Sequence, residues 1–285
     1  MIFVLIAIVC SVLVSINFKL LNRYYTNAYQ AIVFNYPTAA LFCYFFFKPN
    51  LLAKPNSEHW VLYLILAVLL ISIFYFIGKS IATSGIVLTA IAQRLSLVIP
   101  VLSAFLIFSE TPTTIKIIGL GVGLIAIYAS KPTGKGNLKD IMSWYPIIVF
   151  LGTGIIDVLF NQLTLLENIS FTASLFYIFC IASVLGFSSL IYQQIKGTLK
   201  FQPKAALAGI VLGLFNFGSI YFYIKALQIE KNQPSVVFSS LDIGVIVLGS
   251  LVGILLFKEK LSKLNILGIV LAIVAIVILN LPNAI

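Results

Sequence analysis

The chain has 285 residues, of which 61% are hydrophobic and only 9% are charged. Because about a quarter of the residues in a soluble domain are charged, this composition excludes a soluble globular protein and predicts a membrane protein. The formal net charge of +10 is spread along the chain. We attribute this positive charge to lysines that anchor the helices at the membrane surface, and we expect no nucleic-acid partner.

Mostly apolar runs follow one another along the chain, each of roughly the 20 residues that cross a bilayer as a helix. They are solidly apolar and lack the alternating pattern of a transmembrane barrel. The predicted fold class is an all-α polytopic membrane protein with ten transmembrane helices. The predicted spans are 2–21, 28–47, 60–83, 85–109, 114–130, 144–166, 171–194, 204–227, 234–257 and 261–281.

The third and eighth predicted spans carry a repeated segment. Shifting the chain by 146 positions superposes 72–79 on 218–225, and Tyr75 and Lys79 then coincide with Tyr221 and Lys225. With three further residues inserted, the Phe-Ser-Glu segment at 108–110 matches the Phe-Lys-Glu segment at 257–259. A repeat of this period indicates two homologous halves.

The predicted halves are residues 1–130 and 144–285, joined by a Pro-, Gly- and Lys-rich linker at 131–143. Each half holds five predicted spans, so the second half enters the membrane with the opposite orientation. Inverted repeats of this kind are typical of secondary transporters, in which the halves expose one central site to each side in turn.

The first and sixth predicted spans each carry a polar stripe. Ser11, Ser15 and Lys19 match Thr153, Asp157 and Asn161 with an offset of 142. The four-residue steps place each set on one helical face. Small polar residues can simply bond neighbouring helices together, but a charge such as Asp157 in mid-span is costly and favours a functional interior.

Two more charges lie deep in their spans, Arg94 in the fourth and Asp242 in the ninth. At about 1.5 Å per residue both lie near the membrane midplane, and Asp242 is the repeat equivalent of Gln93. One interpretation is that Arg94 merely pairs with Asp242 or with Asp157. Since a buried pair needs further hydrogen bonds, either interpretation predicts a polar central cavity.

The remaining candidates have structural alternatives. Tyr75 and Tyr221 fit an interfacial aromatic belt. Asn216 continues a helical face marked by Gly209 and Gly213, where the glycines would allow another backbone to approach closely. Pro100 fits either a hinge or a static kink. The candidate substrate-binding residues are Ser15, Lys19, Tyr75, Gln93, Arg94, Asp157, Asn161, Asn216, Tyr221, Ser240 and Asp242, and the candidate gating residues are Pro100 and Gly249.

No catalytic or metal-binding constellation occurs in the sequence. The single histidine, His59, lies in a predicted loop, and no phosphate-binding glycine motif is present. We therefore expect no enzymatic activity, no cofactor and no ATP-driven step, so that any energy source would be a gradient.

Ten spans in two inverted halves, with Glu110 and Glu259 at matched helix ends followed by Gly119 and Gly268, resemble the drug/metabolite transporter superfamily. More specifically, the chain resembles bacterial proteins with two EamA domains. Pro100, ten residues before Glu110, fits the first-repeat pattern, whereas Gly249 stands where the resemblance implies a proline.

The resemblance implies a multi-pass protein of the inner (plasma) membrane, monomeric or homodimeric, that exports small polar metabolites such as amino acids by alternating access, with or without protons. A multidrug or nucleotide-sugar transporter of the same superfamily is the first alternative. A membrane scaffold or lipid-handling protein is the second. The lysine and arginine tally of the loops predicts both termini outside, whereas the resemblance implies termini inside.

Overall fold

A computed structural model describes residues 2–24, 26–51, 55–106, 114–129, 144–164, 166, 169–229 and 234–279. Within these ranges the chain forms helices and no strand, as the all-α prediction requires. The helices are α1 (Ile2–Arg23), α2 (Ala28–Phe47), α3 (Ser57–Leu95), α4 (Val98–Leu106), α5 (Thr114–Ala129), α6 (Tyr145–Thr164), α7 (Phe171–Ile195), α8 (Pro203–Ile229), α9 (Pro234–Leu255) and α10 (Lys263–Leu279).

Five of the described helices, α1, α2, α3, α7 and α8, are long and apolar enough to cross a membrane. Shorter apolar helices occur within α5, α6, α9 and α10. The chain is therefore a polytopic helical membrane protein, and the count of ten crossings remains a prediction. The predicted linker at 131–143 and Glu110 lie outside the described residues.

The 39-residue helix α3 is bent into two helices at Gly85, where φ is 92° and ψ is 170°. This backbone conformation is open essentially to glycine alone. The hydroxyls of Ser80 and Thr89 meet across the bend at 2.7 Å, and Thr89 also donates to the Gly85 carbonyl at 2.7 Å. The bend coincides with the predicted boundary between the spans 60–83 and 85–109.

The predicted fourth span is not one helix, because Ser96 and Leu97 interrupt it between α3 and α4. Pro100 explains the interruption: it has no N–H for the Ser96 carbonyl four residues earlier, and its ring crowds that oxygen. The Ser96 carbonyl instead accepts from the Ile99 N–H at 2.9 Å. The repeat equivalent, Gly249, lies inside the uninterrupted helix α9.

The helices of the two predicted halves interleave. Helix α1 packs against α8 and α9, α6 packs against α3 and α4, α2 contacts α7 and α8, and α5 packs against α10. Glycines allow α2 and α8 to approach closely. An added Cβ at Gly209 would lie 2.4 Å from the Ala31 carbonyl oxygen, and one at Gly213 would lie 2.6 Å from the Asn35 carbonyl oxygen. The predicted close backbone approach along this face is confirmed.

Candidate functional site

Arg94 and Asp242 form an ion pair between α3 and α9. The Nη1 atom of Arg94 lies 3.1 Å from Oδ1 of Asp242, and the side chains are 23% and 14% exposed. Arg94 lies in the last turn of α3 and Asp242 lies within α9, so the two residues come from different predicted halves. This ion pair therefore connects the two predicted halves, and its side chains remain partly exposed.

The other end of the guanidinium faces α1. Its Nη2 atom lies 3.4 Å from the hydroxyl oxygen of Ser11, which meets the hydroxyl of Ser219 on α8 at 2.6 Å. Arg94 Nε is buried and has no hydrogen-bond partner among the described residues. Helices α9 and α1 therefore contact Arg94 of α3 directly, and α8 is linked to it through Ser11. The Nε–H of Arg94 is left for another acceptor.

Asp157 approaches this cluster from α6. Its Oδ2 atom lies 3.3 Å from the hydroxyl oxygen of Ser96, and it interacts electrostatically with Asp242 and Arg94. Ser96 is buried at the interruption between α3 and α4, and its hydroxyl donates to the Gln93 carbonyl at 2.6 Å. Gln93 thus enters the site through its backbone. Among the described residues, no lysine or arginine nitrogen lies within 4.0 Å of the Asp157 carboxylate.

Lys19 belongs to a second charged junction. Its Nζ atom lies 3.0 Å from Glu259 Oε1 and 3.4 Å from the Ile81 carbonyl oxygen. Glu259 accepts from the backbone N–H groups of Ile86 at 2.8 Å and Val87 at 3.3 Å. The carboxylate therefore caps the helix that begins after Gly85, where unpaired N–H groups and the helix dipole favour an anion.

The two repeated tyrosines lie in aromatic clusters. Lys79 lies over the Tyr75 ring at 5.5 Å, and Lys225 lies over the Tyr221 ring at 5.8 Å. The Tyr221 ring also packs against Phe47, with a centroid distance of 5.5 Å. Each tyrosine thus supports the lysine one turn further along its helix.

The remaining candidates are spread along the helices. Asn216 donates to the Asn35 side chain at 3.2 Å, between α8 and α2. Ser15 is buried on α1, and Ser240 is half-buried on α9. Asn161 lies on α6, and its side chain is outside the described part of the structure.

Several residues of the two junctions were missed as site candidates. Ser11 belongs to the predicted polar stripe, and Glu259 was singled out only for its position at a matched helix end. Ser96 and Ser219 carry no sequence signal beyond a hydroxyl in an apolar run. Tyr223 interacts electrostatically with Asp242, Arg94 and Asp157. Nothing in the sequence distinguished it from the many other aromatic residues.

An apolar groove of about 560 Å³ lies elsewhere, between α2 and α7. Leu41, Phe45, Phe176 and Val184 are among the residues that line it. No residue of either charged junction contributes to it. Its open, apolar walls suit lipid chains and offer little to a polar solute.

Comparison with known proteins relates the chain to a transporter family and to a bacterial protein. Residues 141–281 match the model of the EamA-like transporter family. The chain is also 41% identical over 281 residues to a protein of Haemophilus influenzae described only as an uncharacterized protein, and the match covers 95% of this chain and 94% of that protein.

Proposed function

Since the chain belongs to the EamA-like transporter family of the drug/metabolite transporter superfamily, we propose that it is a secondary transporter or facilitator for small polar metabolites. Amino acids and related compounds, exported across the inner (plasma) membrane, are the proposed substrates. The observation that carries this proposal is the partly accessible Arg94–Asp242 ion pair between α3 and α9. A charged pair inside apolar helices is expensive, and a polar substrate provides the reason to keep it.

The proposed architecture is ten crossings in two inverted five-helix repeats, 1–130 and 144–285. The helix packing supports it. In the proposed repeat, α1, α3 and α4 of the first half correspond to α6, α8 and α9 of the second. The contacts of α1 with α8 and α9 therefore correspond to those of α6 with α3 and α4. The family match at 141–281 covers the second proposed repeat. Such exchangeable contacts are what alternating access between inverted halves requires.

Arg94 is the proposed anchor for a substrate carboxylate. Its buried Nε has no partner among the described residues, and the planar guanidinium can hold a carboxylate by two hydrogen bonds at once. The carboxylates of Asp242 and Asp157 are the proposed anchors for an ammonium group. A zwitterion can therefore pair with Arg94 through its carboxylate and with an aspartate through its ammonium group.

A cationic drug is the alternative that the charges favour. The cluster holds two carboxylates and one guanidinium, so a substrate with a positive charge and no carboxylate would pair with Asp157 or Asp242 while leaving Arg94 in place. Zwitterion transport requires Arg94, whereas transport of such a cation does not. One variant therefore separates the two functions.

The test uses purified protein in proteoliposomes, with uptake of labelled amino acids and of cationic dyes measured separately. Arg94→Ala should reduce amino-acid uptake at least about tenfold, which corresponds to about 1.4 kcal/mol of lost binding. Lys79→Ala, on the same helix but exposed over Tyr75, is the matched control and should transport normally.

Removing Arg94 leaves Asp242 without its partner, which could unfold the protein. The double variant Arg94→Gln with Asp242→Asn removes both charges and keeps hydrogen-bonding groups, so it reports the substrate role in a folded protein. A screen of thermal stability complements it, because a ligand at 100 times its Kd stabilises by about 2.7 kcal/mol. Amino-acid uptake or stabilisation that survives in both Arg94 variants would refute the proposed role.

A further inference from the structure

Ser96 has one hydroxyl hydrogen and two oxygen neighbours that could accept it. The Gln93 carbonyl lies at 2.6 Å and Asp157 Oδ2 lies at 3.3 Å. A hydroxyl donates one hydrogen bond and accepts others through its lone pairs. The shorter distance assigns the hydrogen to Gln93, so the contact with Asp157 is left without a hydrogen from Ser96.

The backbone explains why Gln93 holds this hydrogen. Helix α3 ends at Leu95, and the Leu97 N–H donates to the Arg94 carbonyl at 3.4 Å. It is therefore not available to the Gln93 carbonyl in the regular helical pattern. Carbonyls at the end of a helix need another donor, and the buried Ser96 hydroxyl supplies it. The contact with Asp157 then becomes a hydrogen bond only if the carboxyl group itself donates.

The charges around Asp157 also favour a carboxyl group that carries a proton. Arg94 from α3 is paired with Asp242 of α9, and Tyr223 of α8 is the other titratable neighbour with an electrostatic interaction. Lys19 is bound to Glu259.

The other helices packed against α6 add no compensating charge, and Lys79 of α3 lies over the Tyr75 ring. Helix α4 contains no titratable residue, and those of α7 are Tyr177, Cys180 and Tyr192, which are neutral near pH 7. With both aspartates ionised, the cluster of Arg94, Asp157 and Asp242 would carry a net negative charge in an apolar interior.

We propose that Asp157 is the proton-binding site of the transporter and is neutral in the conformation described. This inference rests on the proposed transport function and adds the coupling ion to it. When the cationic group of a substrate arrives, the Asp157 O–H bond breaks and its proton passes to water. The carboxylate keeps the electron pair, and the Ser96 hydroxyl rotates from Gln93 to donate to it. Ser96 is thus a positioning residue for the proton.

The proton can be detected without any transport. Infrared spectra of the purified protein in lipid nanodiscs near neutral pH should show the carbonyl stretch of a protonated carboxylic acid, and Asp157→Asn should remove it. Ser96→Ala should keep the band but shift its frequency, because the acid loses its acceptor. Glu259→Gln, which changes a carboxylate bonded to Lys19 and two backbone N–H groups, should leave the band unchanged.

A second measurement uses stability. A proton that the folded state binds and the unfolded state releases makes stability fall as the pH rises, by up to about tenfold in the folding equilibrium per pH unit. Asp157→Asn should remove that part of the slope, whereas Ser96→Ala should retain part of it. A wild-type spectrum without an Asp157-dependent band, or an unchanged slope in Asp157→Asn, would overturn the proton site. Neither result depends on whether amino acids are transported, so the two proposals can fail separately.

Discussion

Replacing Gly85 by alanine tests how the bend of α3 is held. The residue has φ of 92° and ψ of 170°, a conformation that residues with a Cβ avoid. Its surroundings are equally restrictive, because an added Cβ would lie 2.6 Å from Glu259 Oε2 and 2.8 Å from Oε1. One methyl group therefore strains the backbone and displaces the carboxylate that caps the following helix.

The two effects can be added. A non-glycine residue in this region costs about 2 kcal/mol, and loss of the charge-assisted hydrogen bonds of Glu259 costs about 2 kcal/mol more. The expected loss for Gly85→Ala is about 4 kcal/mol, a large share of the roughly 5–15 kcal/mol that stabilises a typical protein. Denaturant titration in detergent, followed by tryptophan fluorescence, measures it.

Gly121→Ala is the matched control, since the space around a Cβ there is open within 4 Å and the residue lies within α5. It should be neutral or stabilising by up to about 1 kcal/mol. A double-mutant cycle separates the two effects: in a Glu259→Ala background, Gly85→Ala should cost only its backbone share of about 2 kcal/mol. The reasoning fails if Gly85→Ala is as harmless as Gly121→Ala, or if the full loss persists without Glu259.

Two further substitutions test contacts between the predicted halves, each by thermal stability in detergent against a control. Lys19→Met should destabilise the protein by about 1–3 kcal/mol, because it leaves the Glu259 carboxylate without its cation, whereas Lys79→Met should change stability little. Equal effects of the two substitutions would contradict a stabilising Lys19–Glu259 ion pair. Gly213→Ala should cost about 1–3 kcal/mol, because its Cβ would lie 2.6 Å from a backbone oxygen of α2. Gly218→Ala meets only the movable Cys10 Sγ at 3.2 Å and should be tolerated, so similar losses at both glycines would refute the packing argument.

The sequence was sufficient to predict that Arg94 needs a partner, because an arginine deep in an apolar helix cannot face lipid. It could not choose between Asp242 and Asp157. The choice depends on where α6 lies relative to the end of α3, and the Ser96–Leu97 interruption sets that geometry. Pro100 indicated an irregular helix, but the backbone irregularity lies one turn earlier, at the Ser96 carbonyl to which the proline cannot donate.

Lys19 shows the limit of helical periodicity. Its spacing from Ser11 and Ser15 places it on the same face of α1, which suggested one continuous polar surface toward a cavity. In the structure that face contacts Ser219 and Arg94 at Ser11 but Glu259 at Lys19. Periodicity fixes the direction of a side chain, whereas its partner depends on where a loop of the other predicted half lies relative to the bend at Gly85.

The repeat also makes the two halves unequal at this junction. Under the offset that relates the polar stripes, Asn161 stands where Lys19 stands in the first half. An amide can donate a hydrogen bond but cannot neutralise a carboxylate, so the sequence predicts an ion pair only for the Lys19 side of the repeat. Separating Lys19 from Glu259 exposes a charged pair and a helix N-terminus together. If the halves move against each other as proposed, any movement that separates Lys19 from Glu259 carries this cost.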